Sequence, residues 1–188
     1  MKKIILASTS PRRQHILTKL NIDYTVVSPS YDETKFNLSI NPDSIELLSL
    51  NKVKSVCEKV TVSALIIGAD TVVIYGGRIL GKPKNREEAF EMLKLLSGKT
   101  HYVITGIAIA DTENGKEYMA HDITYVTFNE IPDKQIYEYI DNKKPYDKAG
   151  AYGIQELPDN FVKKIEGDID NVIGLPTKIL IKMLRKIK

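Results

Sequence analysis

The chain has a single cysteine, Cys57, in 188 residues. It can form no internal disulfide, and that scarcity fits a reducing cytoplasm. Cys57 falls in a helical pattern with no evident histidine partner, which makes it a core thiol rather than a nucleophile. Histidine is nearly as scarce: His15, His101 and His121 are scattered, so a structural zinc site is not expected. No apolar run approaches the ~20 residues of a membrane span. Met1-Lys2-Lys3 before Ile4-Ile5-Leu6-Ala7 imitates a signal peptide, but the apolar part is too short and Arg12 and Arg13 follow at once. The net charge is only +3, too little to argue for nucleic acid. Repeats and low-complexity segments are absent.

Two phosphate-binding motifs are missing as well. Gly76-Gly77-Arg78-Ile79-Leu80-Gly81-Lys82-Pro83 satisfies G-x-x-x-x-G-K and then fails, because the next position needs a hydroxyl for magnesium and Pro83 has none. Ser97-Gly98-Lys99-Thr100 has the other half, with Leu93 where the first glycine belongs. No G-x-G-x-x-G follows a strand, so a dinucleotide site is unsupported.

What is present is organised around residues 64–83. Ala64 to Tyr75 reads as an apolar strand, Gly76-Gly77 as a turn and Arg78 to Leu80 as a short returning strand. One carboxylate, Asp70, sits inside the apolar run. A strand buried on both faces is nearly all Val, Ile and Leu. A lone charge there costs several kcal/mol unless it is paired or bound to metal. Either Asp70 works chemically or it caps a turn at a strand end. The hairpin would carry Lys82 back toward Asp70, since paired strands lie ~5 Å apart. An acid and a lysine at one hairpin mouth suggest a phosphate site.

The rest of the chain alternates strands and helices. Lys2 to Ala7 reads as a strand, and Ser10-Pro11 opens a helix with Arg12 and Arg13 in its first turn. Such an end offers N–H groups and a positive dipole to an anion. Ser8, Ser10 and the guanidinium forks add phosphate contacts. Tyr24 to Ser28 reads as a strand, followed by an irregular segment containing Asp32-Glu33. Asn41-Pro42 opens a helix in which Lys52 falls among apolar positions, either snorkelling or reaching into a cleft. Asn85 to Glu88 is a capping-box variant opening a helix that stops at Gly98. His101 to Asp111 and Tyr118 to Phe128 form a hairpin across Asn114-Gly115. Pro132 starts a helix through Ile140. Lys144 to Gln155 is a loop of small and polar residues, which let backbone approach a ligand closely. Phe161 to Ile165 is a strand, Gly167 to Leu175 a loop, and Pro176 opens a terminal helix. The length suits one large domain or two small lobes around a cleft.

Taken together, six stretches resemble the Maf family of nucleoside triphosphate pyrophosphatases. They are Leu6-Ala7-Ser8-Thr9-Ser10-Pro11-Arg12-Arg13, Gly68-Ala69-Asp70-Thr71, Gly81-Lys82-Pro83, Ser97-Gly98-Lys99-Thr100-His101, Asp147 to Gln155, and Gly174-Leu175-Pro176. They stand in the family's order across nearly the whole chain. The resemblance implies an α/β fold over residues 1–188 as a single domain, with an elongated mixed β-sheet flanked by helices and two lobes around a central cleft. It implies hydrolysis of dTTP and UTP to the monophosphate and pyrophosphate, with modified pyrimidine nucleotides as further candidates. A divalent cation, Mg²⁺ or Mn²⁺, and a cytoplasmic homodimer come with it; membrane and nucleic acid do not. By the resemblance, Asp70 is the proton acceptor, and Ser8, Arg13, Glu33, Lys52 and Lys82 line the phosphate cleft. Arg12, Thr71 and Gln155 are linked to base choice.

Residue chemistry adds that Glu33 and Asp70 can bind the metal, leaving open whether Asp70 is ligand or base. Two readings from other classes stand beside this one. A non-catalytic nucleotide-binding regulator of cell division would bind without turnover, and a nucleic-acid-binding protein would show steep salt dependence.

Overall fold

The computed structural model describes residues 2–187. In chain order its elements are β1 (Lys3–Leu6), α1 (Pro11–Lys19), β2 (Thr25–Val26), α2 (Pro42–Cys57), β3 (Ala64–Tyr75), β4 (Arg78–Leu80), α3 (Arg86–Leu96), β5 (Thr100–Asp111), β6 (Glu117–Phe128), α4 (Asp133–Lys143), β7 (Val162–Glu166), α5 (Ile169–Ile173) and α6 (Thr177–Lys186). All seven strands join one mixed sheet, in the order β2-β1-β3-β5-β6-β7 with β4 paired to β3. The fold class is mixed α/β, as the sequence implies. No helix among the described residues is long and apolar enough to cross a membrane. The chain divides into two compact units, and β3, β5 and β6 supply residues to both.

The first unit comprises Met1–Asp70, Thr105–Asp122 and Gly174–Lys188. Here β1 runs parallel to both β2 and β3, with Ile5 opposite Thr25 and Ile66. Helix α2 packs Leu50, Val53 and Val56 against Ile5, Ala7, Ile66 and Ala108. Two glycines let it come this close. A Cβ on Gly106 would lie 2.6 Å from Ile45 C and O and 2.7 Å from Glu46 N. One on Gly68 would meet Val53 Cγ2 at 2.6 Å and Ser49 O at 3.2 Å. Ser49 Oγ, fully buried, stands 2.9 Å from Gly106 O and 2.9 Å from Ile45 O. The helix is therefore seated directly on strand backbone, and that seat fixes where Lys52 begins.

The second unit comprises Thr71–Ile104 and Ile123–Ile173. Its core gathers Val73, Leu80, Leu93, Phe128, Ile140 and Phe161 between the sheet and helices α3 and α4. Asn85 caps α3 by accepting from Glu88 N at 2.8 Å, while Glu88 Oε2 accepts from Lys84 N at 2.8 Å. The reciprocal acceptance reaches one residue earlier than in the usual capping box. In the core, His101 Nε2 meets Tyr152 Oη at 2.8 Å.

Local expectations fail in four places. Ser10 occupies the cap position of α1 but its side chain makes no capping bond. The strand expected over Tyr24–Ser28 shrinks to Thr25–Val26, both exposed and bonded to β1. The loop expected over Gly167–Leu175 contains α5, anchored by Asn171 Nδ2 donating to Val103 O at 3.1 Å. Helix α4 runs past Ile140 to Lys143, where Lys144 stops it with a left-handed backbone (φ 46°).

Candidate functional site

Six of the residues singled out from the sequence converge in the first unit. β1 ends where Ala7 N donates to Ile67 O at 2.7 Å, and the chain turns into α1. Ser8, buried in that turn, accepts from Ser10 N at 3.2 Å and from Arg13 Nη1 at 3.2 Å. Arg13 Nε donates to Gly174 O at 2.8 Å. The guanidinium is thus held from two sides before any ligand arrives. Burial pushes its pKa below the ordinary arginine value; Asp70 opposes that push, Arg12 adds to it and Glu33 opposes it. Arginine still stays protonated in proteins. Those same effects bring Arg12, Glu33 and Asp70 into the electrostatic field of Arg13.

Lys52 resolves the choice between snorkelling and reaching inward. It is 6% exposed, and its Nζ donates to Asp70 Oδ1 and lies 2.9 Å from Glu33 Oε1. The lone carboxylate of β3 is paired as its burial requires. The hairpin argument aimed Lys82 at Asp70; the cation hydrogen-bonded to Asp70 is Lys52, delivered by α2. Glu33 reaches it because the loop before it is tied to α2. Ser55 Oγ accepts from Ser30 N at 3.1 Å, and Tyr31 Oη accepts from Asn51 Nδ2 at 3.3 Å. Asp32 Oδ1 then accepts from Thr34 N at 3.1 Å and closes the turn carrying Glu33. Glu33 remains half in solvent, whereas Asp70 is only 14% exposed at its side chain.

Thr71, Lys82 and Gln155 belong to the second unit. Thr71 follows Asp70 on β3 and so points to the opposite face of the strand. Pairing of β4 with β3 ends at Leu80 opposite Val73. Gly81 O instead accepts from Gly150 N at 3.0 Å, which fastens the Gly81-Lys82-Pro83 segment to the Gly-rich loop. Gly150 is left-handed (φ 65°) and lies over Val73, whose side chain a Cβ there would meet at 3.0 Å. Lys82 and Gln155 are both exposed.

The sequence reading gave no role to Gly174, whose carbonyl fixes Arg13, nor to Gly68 and Gly106 under α2. The first lies in a motif that was visible. So does Gly68, the first residue of the Gly68-Ala69-Asp70-Thr71 stretch; Gly106 carries no signal beyond being glycine inside a strand, which hints at close backbone approach.

A family profile described as Maf-like protein matches residues 3–187. The chain belongs to the Maf family. A dTTP/UTP pyrophosphatase of Alkaliphilus oremlandii is 49% identical over 177 residues, covering 94% of this chain and 91% of the relative. One of Bacillus cereus is 45% identical over 186 residues, covering 99% and 96%. Among solved structures, the Ham1 protein of Staphylococcus aureus superposes with a TM-score of 0.50 at 13% identity over the full length of both chains, a likeness of fold alone.

The donor set of this Maf chain bears on the metal. Among the described residues no group of three or more His, Cys, Asp and Glu could hold an ion. Glu33 and Asp70 nevertheless converge on one cation, the Lys52 ammonium. Mg²⁺ takes one or two carboxylates and fills its other positions with water and substrate phosphates. Two carboxylates fit that pattern.

Proposed function

We propose that this Maf protein is a nucleoside triphosphate pyrophosphatase acting on dTTP and UTP. Water attacks the α-phosphorus, the bond to the α–β bridging oxygen breaks, and pyrophosphate leaves. The observation that carries the reading is the part-buried Lys52–Asp70 pair with Glu33 on the same ammonium. A chain gains little stability from burying such a pair, whereas a triphosphate site needs both charges. The names of the relatives support the substrate class.

In this reading Asp70 accepts the proton of the attacking water, worth ~10²–10⁴ in rate for a placed general base. Lys52 Nζ orients the Asp70 carboxylate. Arg13, with Ser8 and the N-terminus of α1, binds phosphate oxygens; Lys82 adds a further cation. Glu33 and Asp70 would hold Mg²⁺ or Mn²⁺, which supplies charge neutralisation to the phosphates when bound. Arg12, Thr71 and Gln155 read the base. A glutamine amide offers one donor and one acceptor, matching the O4 and N3–H edge of uracil and thymine. The same reading makes the protein a cytoplasmic homodimer with residues 1–188 as a single domain, and its lone cysteine suits that compartment.

The experiment is a panel of UTP, dTTP, CTP and dCTP with Mg²⁺ or Mn²⁺, scoring pyrophosphate against orthophosphate. UTP and dTTP should lead, pyrophosphate should be the first product, and excess chelator should stop the reaction. Orthophosphate first, or a preference for CTP, overturns the assignment.

A further inference from the structure

The Gly-rich loop of the second unit holds a buried cation that none of these roles uses. Lys148 is 7% exposed. Its Nζ lies 2.8 Å from Asp147 Oδ1 and 3.3 Å from Glu156 Oε2. Its stem runs beneath Gly153: a Cβ there would come within 2.9 Å of Lys148 Cε, 3.1 Å of Cδ and 3.4 Å of Glu156 Cδ. Gly153 and Glu156 are the ends of a four-residue turn, closed by Glu156 N donating to Gly153 O at 2.8 Å. The residues between them are Ile154 and Gln155. Gly153 N in turn donates to Tyr139 Oη at 3.1 Å, so α4 holds the start of the turn and Lys148 holds its end.

A buried ammonium is tolerated where it is paired and hydrogen-bonded. Here both of its carboxylates bracket one short segment, and the residue next to one of them is Gln155. We infer that Lys148 is a positioning residue for base choice: its ammonium and stem set the turn that presents the Gln155 amide. The inference rests on the reading of Gln155 given above. It explains the glycine at 153, where any side chain would displace the lysine stem. It also separates Lys148 from the phosphate-binding cations, since its charge is spent within the loop. Misplacing a recognition group by ~1 Å costs up to ~10²-fold in rate, so a loosened turn should weaken discrimination without removing Asp70 chemistry.

The test compares kcat/KM for UTP and CTP in the wild type, Lys148→Met, Lys148→Arg, Gln155→Ala and the Lys148→Met/Gln155→Ala double variant. Methionine keeps a stem under Gly153, and both carboxylates have access to water, so no buried charge is stranded. Hydrogen exchange across residues 152–157 is read in parallel. Lys148→Met should lower the UTP/CTP ratio about tenfold, mainly by slowing UTP. Arginine should restore most of it, and the Glu156 amide should exchange about tenfold faster. In the Gln155→Ala background Lys148→Met should leave the ratio unchanged within about twofold, because the two act as one unit. An unchanged ratio in folded Lys148→Met overturns the inference. So does equal loss on both nucleotides, or a tenfold drop that persists without Gln155. If Lys148→Met does not fold, Glu156→Gln is held to the same outcomes. If the wild type shows no UTP preference, or Gln155→Ala leaves it intact, the base-choice reading is what fails. The exchange measurement then decides alone whether Lys148 holds the turn, and unchanged protection counts against it.

Discussion

Gly106→Ala should cost both stability and turnover although Gly106 is on β5 and carries no chemistry. Its new methyl would stand 2.6 Å from Ile45 C and O and 2.7 Å from Glu46 N. Ordinary contacts begin near ~3.4 Å, and all three obstacles are backbone atoms of α2 rather than the end of a movable side chain. The helix must therefore retreat by most of an ångström. Overpacking of this kind costs ~1–3 kcal/mol. At about 2–4 °C per kcal/mol for a chain of this size, Tm should fall by roughly 2–12 °C. The same retreat carries Lys52 away from Asp70, because that lysine lies two turns further along α2. A displacement near ~1 Å can cost ~10²-fold in kcat/KM. Urea titration and pyrophosphate release from UTP would measure the two losses. Gly81→Ala is the stability control, since a Cβ there meets nothing within 4 Å. A Gly106→Ala protein as stable as that control, with UTP turnover within twofold of wild type, would refute the idea that the glycine seat of α2 sets the site.

Three further outcomes follow from the geometry. Asp70→Asn should fold and lose at least ~100-fold in turnover, because an amide neither takes a proton nor balances Lys52; near-normal turnover of a folded variant would remove Asp70 from the mechanism. Lys82→Ala should weaken every triphosphate about equally, and selective loss of one base would contradict a phosphate role. His101 is 1% exposed, and burial pushes its pKa down from 6.5 to about 4. It is neutral when folded, so the unfolded chain binds the extra proton between those values. Stability should fall as pH drops from about 6.5 to about 4, by up to ~3 kcal/mol, and an acid titration of urea midpoints should show a shallower slope in His101→Phe.

The strands and their hairpins were legible because their signals are local. Apolar runs, Gly76-Gly77 and Asn114-Gly115 mark strands and reversals by themselves, and Asn41-Pro42 and Asn85 mark helix starts. α5 was missed because it has only five residues and no apolar period; Asn171, which holds it, finds its partner on β5. Two residues of β2 suffice as a strand only because β1 is there to receive them. The site was legible as a set of residues and illegible as a set of pairs. Asp70 plainly needed a partner, but a hairpin argument sees only sequence neighbours across the turn. Lys52 is 18 residues away on a helix whose approach depends on Gly68 and Gly106. Ranking the two lysines required a register between helix and strand that no periodicity encodes.

That dependence explains why the first unit tolerates its charges. Replacing a buried ion pair with well-packed apolar residues is often neutral or stabilising by ~1–4 kcal/mol, so stability alone gives no reason to hold the buried Lys52 beside the half-buried Asp70 and Arg13. Arg13, Glu33 and Lys52 are each held in place by neighbouring groups of the fold. Arg13 is fixed by Ser8 Oγ and Gly174 O, Glu33 by the tie of its loop to Asn51 and Ser55, and Lys52 by the glycine seat of α2. The order is paid for in the folded protein, before substrate binds. For a reaction whose catalysis is mainly positioning and charge stabilisation, that prior order is the contribution a protein can make. The six Maf motifs hold Asp70 and Arg13 with their neighbours Gly68, Ser8 and Gly174, whereas Lys52, Glu33 and Gly106 lie outside them and join the cluster only through the seat and ties of α2.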